Sequence, residues 1–496
     1  MVAAAALLPW VGLLLGAASA TAAGTTSFLS APALQPPPLA LEVPDAPSSD
    51  AASSEYLFLA PIPDYASHKP FVGSPGPEIV EADGAPVWEQ PLGEQIEVAG
   101  HSYREVAMDF HPAVYAGQPV LVWWQGYITP QGFGNGSWQI VNEHYQTIAR
   151  ISAPPGFELD FHDLQLTPRG TAYVLASRLV HLNLHCCGGP ANGVIYDQVV
   201  LEVDVKTGAV MWGWDPLEHI PLRESHTTPP SDAPWDPYHL NSISFGPSGN
   251  PIVSARNTWA AYWINRVSPH DNGEVFATLG GKRSSFKLGP GARFAWQHDV
   301  SQQRGEQISV FDDEAAPTEG KQSRGLLLEL NFGSHTAKVV HEYVLPQHAL
   351  AGSQGSVQLL PDGNVFVGWG QLPYISEYSA AEKLLYEASL PGADESYRAF
   401  RGSWVGLPAD SPSVAVRSAS GGANVYASWN GATEVASWQL LAGSSPSTLT
   451  PVGQPVARQG FQTTIPTGGA GPDYAVQAID AAGQVLATSS AVTASG

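Results

Sequence analysis

One pattern recurs from about Tyr56 to Gly402, and it constrains the fold more than any other feature of the chain. An apolar strand ends in a glycine turn, a second strand follows, and a later strand closes the unit near Val-x-Trp or an equivalent. Four instances align on the turn glycine: His162-Asp163-Leu-Gln-Leu-Thr-Pro-Arg-Gly170-Thr-Ala-Tyr-Val-Leu, His239-Leu-Asn-Ser-Ile-Ser-Phe with Gly249-Asn-Pro-Ile-Val-Ser, His298-Asp299-Val with Gly305-Glu-Gln-Ile-Ser-Val, and Ser356-Val-Gln-Leu-Leu-Pro-Asp-Gly363-Asn-Val-Phe-Val. Their starts lie 77, 59 and 58 residues apart. Asp83-Gly84-Ala-Pro-Val87-Trp88 reads as the end of an earlier unit.

Repeats of this length, each three or four strands, are the mark of a β-propeller. A single small sheet cannot cover both its faces, so sheets stack radially about a channel. The span holds about six units, and six blades are expected over residues 55–408. Composition agrees. Among 496 residues there are 50 Gly, 43 Pro and 15 Trp, while only 14% are charged. Such a chain has many turns and much aromatic packing. The tail differs: Ser413-Val-Ala-Val-Arg417, Asn424-Val-Tyr-Ala-Ser-Trp429, Ala436-Ser-Trp-Gln-Leu-Leu441, Ala475-Val-Gln-Ala-Ile-Asp480 and Val485-Leu-Ala-Thr488 are short alternating strands. They predict a fibronectin- or immunoglobulin-like β-sandwich over 409–496. The fold class is therefore all-β throughout.

The first 20 residues read as a secretory signal peptide, an uncharged apolar run (Ala3 to Leu15) followed by Ala18-Ser19-Ala20. Residues 21–54 are rich in Ala, Pro and Ser without strand or helix period, and are expected to be flexible or extended. No later run is long enough for stable membrane insertion. Secretion is the expectation, and Asn135-Gly136-Ser137 is a glycosylation sequon that fits it. The balance of 22 basic against 45 acidic residues, −23 in all, argues against nucleic acid as a partner. Two cysteines exclude a disulfide-dense scaffold. Oligomeric state leaves no signal.

In a propeller the innermost strand of each blade lines the channel. The start of that strand faces one mouth. That position holds His162, His239, His298 and Ser356. Seven residues past each turn glycine a second register reads Ser177, Arg256, Asp312 and Gly370. An arginine among neutral imidazoles makes an anion site, and its fork suits a tetrahedral oxyanion. Asn241, two residues after His239, is expected on the same side of its strand. Lys282 and Arg283 are a further anion contact or a solvated loop. Three imidazoles are also a zinc ligand set, but Arg256 repels a cation and no acid shares the register, so no metal is expected. A neutral imidazole can instead attack a sulfuryl or phosphoryl centre.

These residues resemble a family. Pro237-Tyr-His239-Leu-Asn241-Ser-Ile, Val253-Ser-Ala-Arg256-Asn, Leu279-Gly-Gly-Lys-Arg283, Phe294-Ala-Trp-Gln-His298-Asp and Ser396-Tyr-Arg398-Ala-Phe are similar to the arylsulfotransferase-like propellers. With Trp429-Asn-Gly-Ala-Thr-Glu-Val-Ala-Ser-Trp438 they resemble the secreted fungal branch. The likeness covers roughly residues 55–496. It implies a six-bladed propeller and sulfuryl transfer from an aryl sulfate to a phenol, without a nucleotide donor or other cofactor. It also implies transient sulfation of a histidine, which is His298 here. His239 and His162 match the sulfate-holding histidines, and Arg256 and Asn241 the anion-binding pair. Ser356, from the strand-start register, joins Asn241 as an expected substrate contact. The bacterial relatives carry a nearby disulfide. Here the cysteines are adjacent, Cys186-Cys187, and read either as a vicinal disulfide or as free thiols without a catalytic role. His181 and His185 beside them read as loop residues rather than metal ligands.

Two other classes compete: a propeller enzyme repurposed as a cyclase or lyase, and a non-catalytic binding propeller. Convergence of His162, His239, His298 and Arg256 in one pocket separates the enzymes from the binder. An acidic chain that holds an anion needs local positive potential, expected at Arg256 and the imidazoles, with the excess acid on the outer surface.

Overall fold

The structure, a computed structural model, describes residues 26–43, 55–64, 70–129, 131–268 and 270–494. The signal-peptide reading of residues 1–20 lies outside them. Strands dominate, with four short 3-10 turns and no α-helix among the described residues. Six sheets of four or five strands follow one another. Sheet I begins at Val106–Tyr115, sheet II at Glu158–Leu166, sheet III at Leu240–Phe245, sheet IV at His298–Gln302 and sheet V at Ser356–Leu359. Each then runs outward through three further consecutive antiparallel strands, and Lys287–Leu288 adds a parallel fifth strand to the outer edge of sheet IV. Sheet VI is made from both ends of the span. Phe400–Ser403 pairs with Glu55–Leu59, which continues into Glu78–Val80 and Pro86–Glu89.

Apolar packing closes these sheets into a ring. The strands alternate in and out of two faces, so each sheet offers one apolar face to its predecessor and one to its successor. Trp124, Val122 and Trp138 of sheet I meet Leu159, Val174 and Val199 of sheet II. Sheets II and III share Leu175, Trp214, Val253 and Tyr262, and sheets III and IV share Trp263, Leu279, Val300 and Val310. Phe311 and Tyr343 of sheet IV pack on Val357 and Trp369 of sheet V. Phe366 and Tyr386 of sheet V pack on Leu57 and Leu59 of sheet VI, and Phe58 and Trp88 of sheet VI return to Phe110 and Trp123 of sheet I. The arrangement is propeller-like. Each interior tryptophan face is worth about 3–5 kcal/mol against truncation to alanine.

Ala40–Val43 adds a fifth strand to the outer edge of sheet V, on Leu384–Ser389. It lacks a strand period because an outer edge strand, exposed along most of its length, buries no face. Gly422–Ser428, flanked by Ser413–Ala419 and Gln462–Pro466, forms one tail sheet, and Ser437–Gly443 with Thr450–Ala457, Asp473–Ile479, Val485–Thr488 and Val492–Thr493 forms another. They share one apolar cluster, including Val425, Trp438, Ile465 and Val476. Asn430 fixes this unit to the ring through reciprocal bonds with the Glu89 backbone. Tyr145 Oη adds a bond to Gly431 O at 2.7 Å.

Candidate functional site

The inner strands are irregular where they reach the axis. Pairing shifts register between Met108 and His111, Leu159 and Leu164, Leu240 and Ser242, and His298 and Ser301. Asp109, His239 and Asp299 take φ of 54°, 54° and 48°. Such bulges free side chains from strict alternation. They aim His162, His239 and His298 at one point, where one ring nitrogen of each lies within 4.8 Å of the others.

Each histidine is held the same way, by a carboxylate on Nδ1. Asp160 accepts from His162 Nδ1 and, at 2.8 Å, from the His162 backbone N–H. Asp236 grips His239 likewise, at 2.5 Å on Nδ1 and 3.0 Å on the backbone. Asp313, just past the second strand of sheet IV, accepts from His298 Nδ1 at 2.9 Å. A proton fixed on Nδ1 leaves Nε2 as the acceptor atom of the ring. The Gln354 backbone N–H sits 3.3 Å from His298 Nε2, which marks that nitrogen as an acceptor. Burial, then the charge of Arg256 and the other imidazoles, holds His298 well below the usual histidine range. Burial lowers His162 too, against the pull of Asp160. Asp313 is pushed up by burial and drawn back by Arg256. These shifts share one cause, the cost of isolated charge in a buried pair. We take the neutral imidazole as the resting form because a donor already occupies the vicinity of Nε2.

Arg256 sits at the strand-to-turn corner of sheet III, its guanidinium 5.0 Å over Trp296. It donates to Gly352 O at 3.0 Å and, more weakly, to Ala315 O and Ala316 O at 3.4 and 3.5 Å. Its Nε has no hydrogen-bond partner among the described residues. Below the histidines lies Arg398, 4% exposed. It reaches Asp109 at 3.2 Å, Asp163 at 3.3 Å and Asp299 at 3.9 Å, one carboxylate from each of three sheets. Asp163 and Asp299 are the neighbours of His162 and His298, so this clamp sets the histidine-bearing backbone.

The site opens into a cavity of about 820 Å³, lined by the three histidines, Arg256, Glu395 and aromatic or apolar groups such as Tyr103, Phe161 and Tyr397. That volume and lining suit an aromatic small molecule. The trio is also a geometric candidate for a divalent metal, with the aspartates as outer partners. The adjacent guanidinium and the donor on His298 Nε2 favour an anion instead.

His162, His239, His298 and Arg256 thus come together. Asn241 and Ser356 do not line the cavity. Asn241 is the extra residue of the sheet III bulge, which breaks the expected two-residue alternation, and its amide donates to Gln297 O at 2.7 Å. Ser356 Oγ bonds the Ala399 carbonyl and N–H, tying sheet V to sheet VI. Lys282 Nζ is engaged by the Arg223 and Ser225 carbonyls, and Arg283 lies largely exposed near Glu224. Cys186 and Cys187 are free thiols in the turn His185–Cys187, away from the cavity. Asn135 lies in the third strand-forming segment of sheet I, opposite Tyr127 and partly exposed. Sequence reasoning missed Asp160, Asp236, Asp313, Gln354 and Glu395. The Asp-x-His and Asp-x-x-His spacings were legible for the first two; Asp313 depends on a tertiary approach.

No curated protein matches the sequence. Solved structures with similar shape include a protein of unknown function from Bacteroides caccae, at 13% identity, covering 70% of this chain and 98% of that one, with a TM-score of 0.41. Virginiamycin B lyase from Staphylococcus aureus is at 8% identity, with 70% and 88% coverage and a TM-score of 0.32. Apo AztD from Citrobacter koseri is at 10% identity, with 71% and 98% coverage and a TM-score of 0.33. The profile of the arylsulfotransferase (ASST) family matches residues 111–390, a stretch that runs from sheet I to sheet V and carries His162, His239, His298 and Arg256. More than half the sequence is matched, and the chain belongs to the arylsulfotransferase family.

Proposed function

We propose that the protein is a secreted sulfuryl transferase that moves sulfate from an aryl sulfate to a phenol through N-sulfo-His298, on a six-bladed propeller followed by a fibronectin- or immunoglobulin-like sandwich. The observation that carries the reading is the trio of imidazoles, each fixed by a carboxylate on Nδ1, converging beside Arg256 at the base of an aromatic-lined cavity. In the first half-reaction the His298 Nε2 lone pair, released from its contact with the Gln354 N–H, forms an N–S bond. The S–O(aryl) bond breaks and its electron pair leaves on the phenolic oxygen. Asp313 accepts the Nδ1–H bond and stabilises the ring as it becomes cationic, a role like that of the triad aspartate. Arg256 holds the sulfuryl oxygens, with His162 and His239 flanking them in the cavity. In the second half-reaction a phenol attacks sulfur and the N–S pair returns to Nε2. Secretion and modification of Asn135 belong to the same proposal, as does membership of the fungal branch.

The test is mass spectrometry after incubation with 4-nitrophenyl sulfate. A peptide containing His298 should gain one SO3 group, and His298→Ala should lose that signal while keeping its melting temperature. A folded wild-type protein that neither releases nitrophenol nor gains the modification would overturn the reading in favour of a repurposed propeller.

A further inference from the structure

The mechanism above needs a proton for the departing phenolate and a place for the proton of the incoming phenol. The three histidines do not supply it, since their Nδ1 protons are committed to carboxylates and their Nε2 atoms face the sulfuryl group. We propose that Glu395 is the proton-transfer residue of this site, donating from its carboxyl to the leaving phenolic oxygen and accepting from the attacking phenol. The inference rests on the sulfuryl-transfer reading.

Glu395 lies in the short strand Asp394–Ser396, opposite Ile62, and lines the same cavity as the histidines. It is 3% exposed. Gln354 spans the two groups. Its backbone N–H contacts His298 Nε2, and its side-chain amide donates to Glu395 Oε1 at 2.8 Å. The other oxygen, Oε2, is buried without a hydrogen-bond partner among the described residues. A buried, unpartnered carboxyl oxygen is costly to keep unless something fills the role of partner, and a phenolic oxygen bound in the cavity would do so. Among the described residues no arginine or lysine forms an ion pair with it. Its charged neighbours are Asp64 and Asp394, and burial pushes its carboxyl up to about 8, with these two adding to the rise and Gln354 opposing it. A group so placed starts protonated near neutrality and remains a competent base once ionised.

The steps balance. As the S–O(aryl) bond breaks, the Glu395 proton passes to the aryl oxygen, leaving Glu395 anionic and His298 sulfated. As the acceptor oxygen bonds sulfur, its proton passes to Glu395 and the N–S pair returns to Nε2, restoring both residues. No other reactant is consumed.

The experiment compares single-turnover phenol release by wild type and Glu395→Gln on 4-nitrophenyl sulfate and on phenyl sulfate, with melting temperature as the control for folding. The nitrophenolate leaves with little help, whereas phenolate, from a parent phenol of pKa about 10, needs protonation. Because general acid catalysis contributes about 10²–10⁴-fold, the variant should slow phenyl sulfate at least 30-fold more than 4-nitrophenyl sulfate. Equal slowing of both would make Glu395 structural, and no slowing would remove its role; either overturns the proposal and leaves sulfuryl transfer standing. Wild type inert toward both donors would overturn the underlying reading and this one with it.

Discussion

Replacing Arg398 by methionine keeps most of the side-chain volume and removes the charge that faces Asp109, Asp163 and Asp299. The three carboxylates are almost fully buried, so none can turn to water without opening the ring. Breaking a buried ion pair by deleting one partner costs about 3–5 kcal/mol, a large part of a total stability of about 5–15 kcal/mol. The cost depends on pH in a definite direction. Asp109 is held up at about 6 by burial even with Arg398 present. Without the arginine it rises further, and Asp299 should rise with it. Carboxyls whose folded values exceed their unfolded values bind more protons in the native state, so the variant gains stability as pH falls through that interval. At pH 8 the deficit should be fully expressed, a fall in melting temperature of about 4–7 °C. At pH 5 it should shrink to less than half, because protonated carboxyls no longer need the cation. Tryptophan fluorescence melts at pH 5, 6.5 and 8 in low salt measure this directly. A deficit that is the same at all three values, or smaller than about 2 °C at pH 8, would refute Arg398 as an electrostatic clamp.

Further outcomes follow from the same geometry. Asp313→Asn should slow His298 sulfation by about 10²-fold or more with little change in donor KM, since an amide can hold the ring in the wrong tautomer; single-turnover kinetics separate the two. Arg256→Lys keeps the charge but loses the fork and the stacking on Trp296, and should raise the inhibition constant of free sulfate about tenfold. Sulfation of wild type by 4-nitrophenyl sulfate, whose leaving group needs little help from Glu395, should stay level from pH 8 to pH 6, because His298 is held well below the usual range by burial and Arg256 and remains neutral throughout. Dialysis against a chelator should leave activity unchanged, and one zinc per chain by elemental analysis would turn the three histidines into a metal site.

The ring and the site differ in how far local sequence reveals them. The strand–glycine–strand pattern marks the repeats because each unit must turn and bury two faces, and this forces Gly and alternating apolar residues into similar places. It also brings His162, His239 and His298 into register, and the pocket follows. What fails is alternation at the bulges. Asn241 was placed by a two-residue period that the shift between Leu240 and Ser242 abolishes. Ser356 shares the register of the histidines, yet its hydroxyl stitches adjacent sheets. Asp313, Gln354 and Glu395 come from different turns and strands, and only the closed ring puts them around His298. The edge strand Ala40–Val43 lacks any period because it buries no face.

Net charge gives the last argument. The excess acid was expected on the outer surface, but many carboxylates are interior: Asp160 and Asp313 on histidines, Asp109 and Asp163 on Arg398, and Glu78 opposite Glu89 in sheet VI. Burial pushes some of these up, Glu78 and Asp109 among them, which works against the full formal −23 in the folded protein. Burial holds Glu89 and Glu395 at about 8, and Asp312 and Asp394 at about 7. All four lie above their unfolded values, so the native state binds more protons than the unfolded chain from about pH 4 to pH 8, and stability must fall as pH rises through that window. His162 and His298 act oppositely. Their depressed values mean that the unfolded chain takes up protons below about pH 6.5 while the native state does not, which offsets part of the carboxyl contribution on that side. Melting temperature should therefore climb steeply from pH 9 to about pH 6.5, with a shallower acid limb below it. Glu89→Gln should flatten the alkaline decline and leave the acid limb in place. A melting temperature that climbs from pH 6 to pH 9 would show that these carboxyls ionise freely, and would remove the physical basis for Glu395 as a proton carrier.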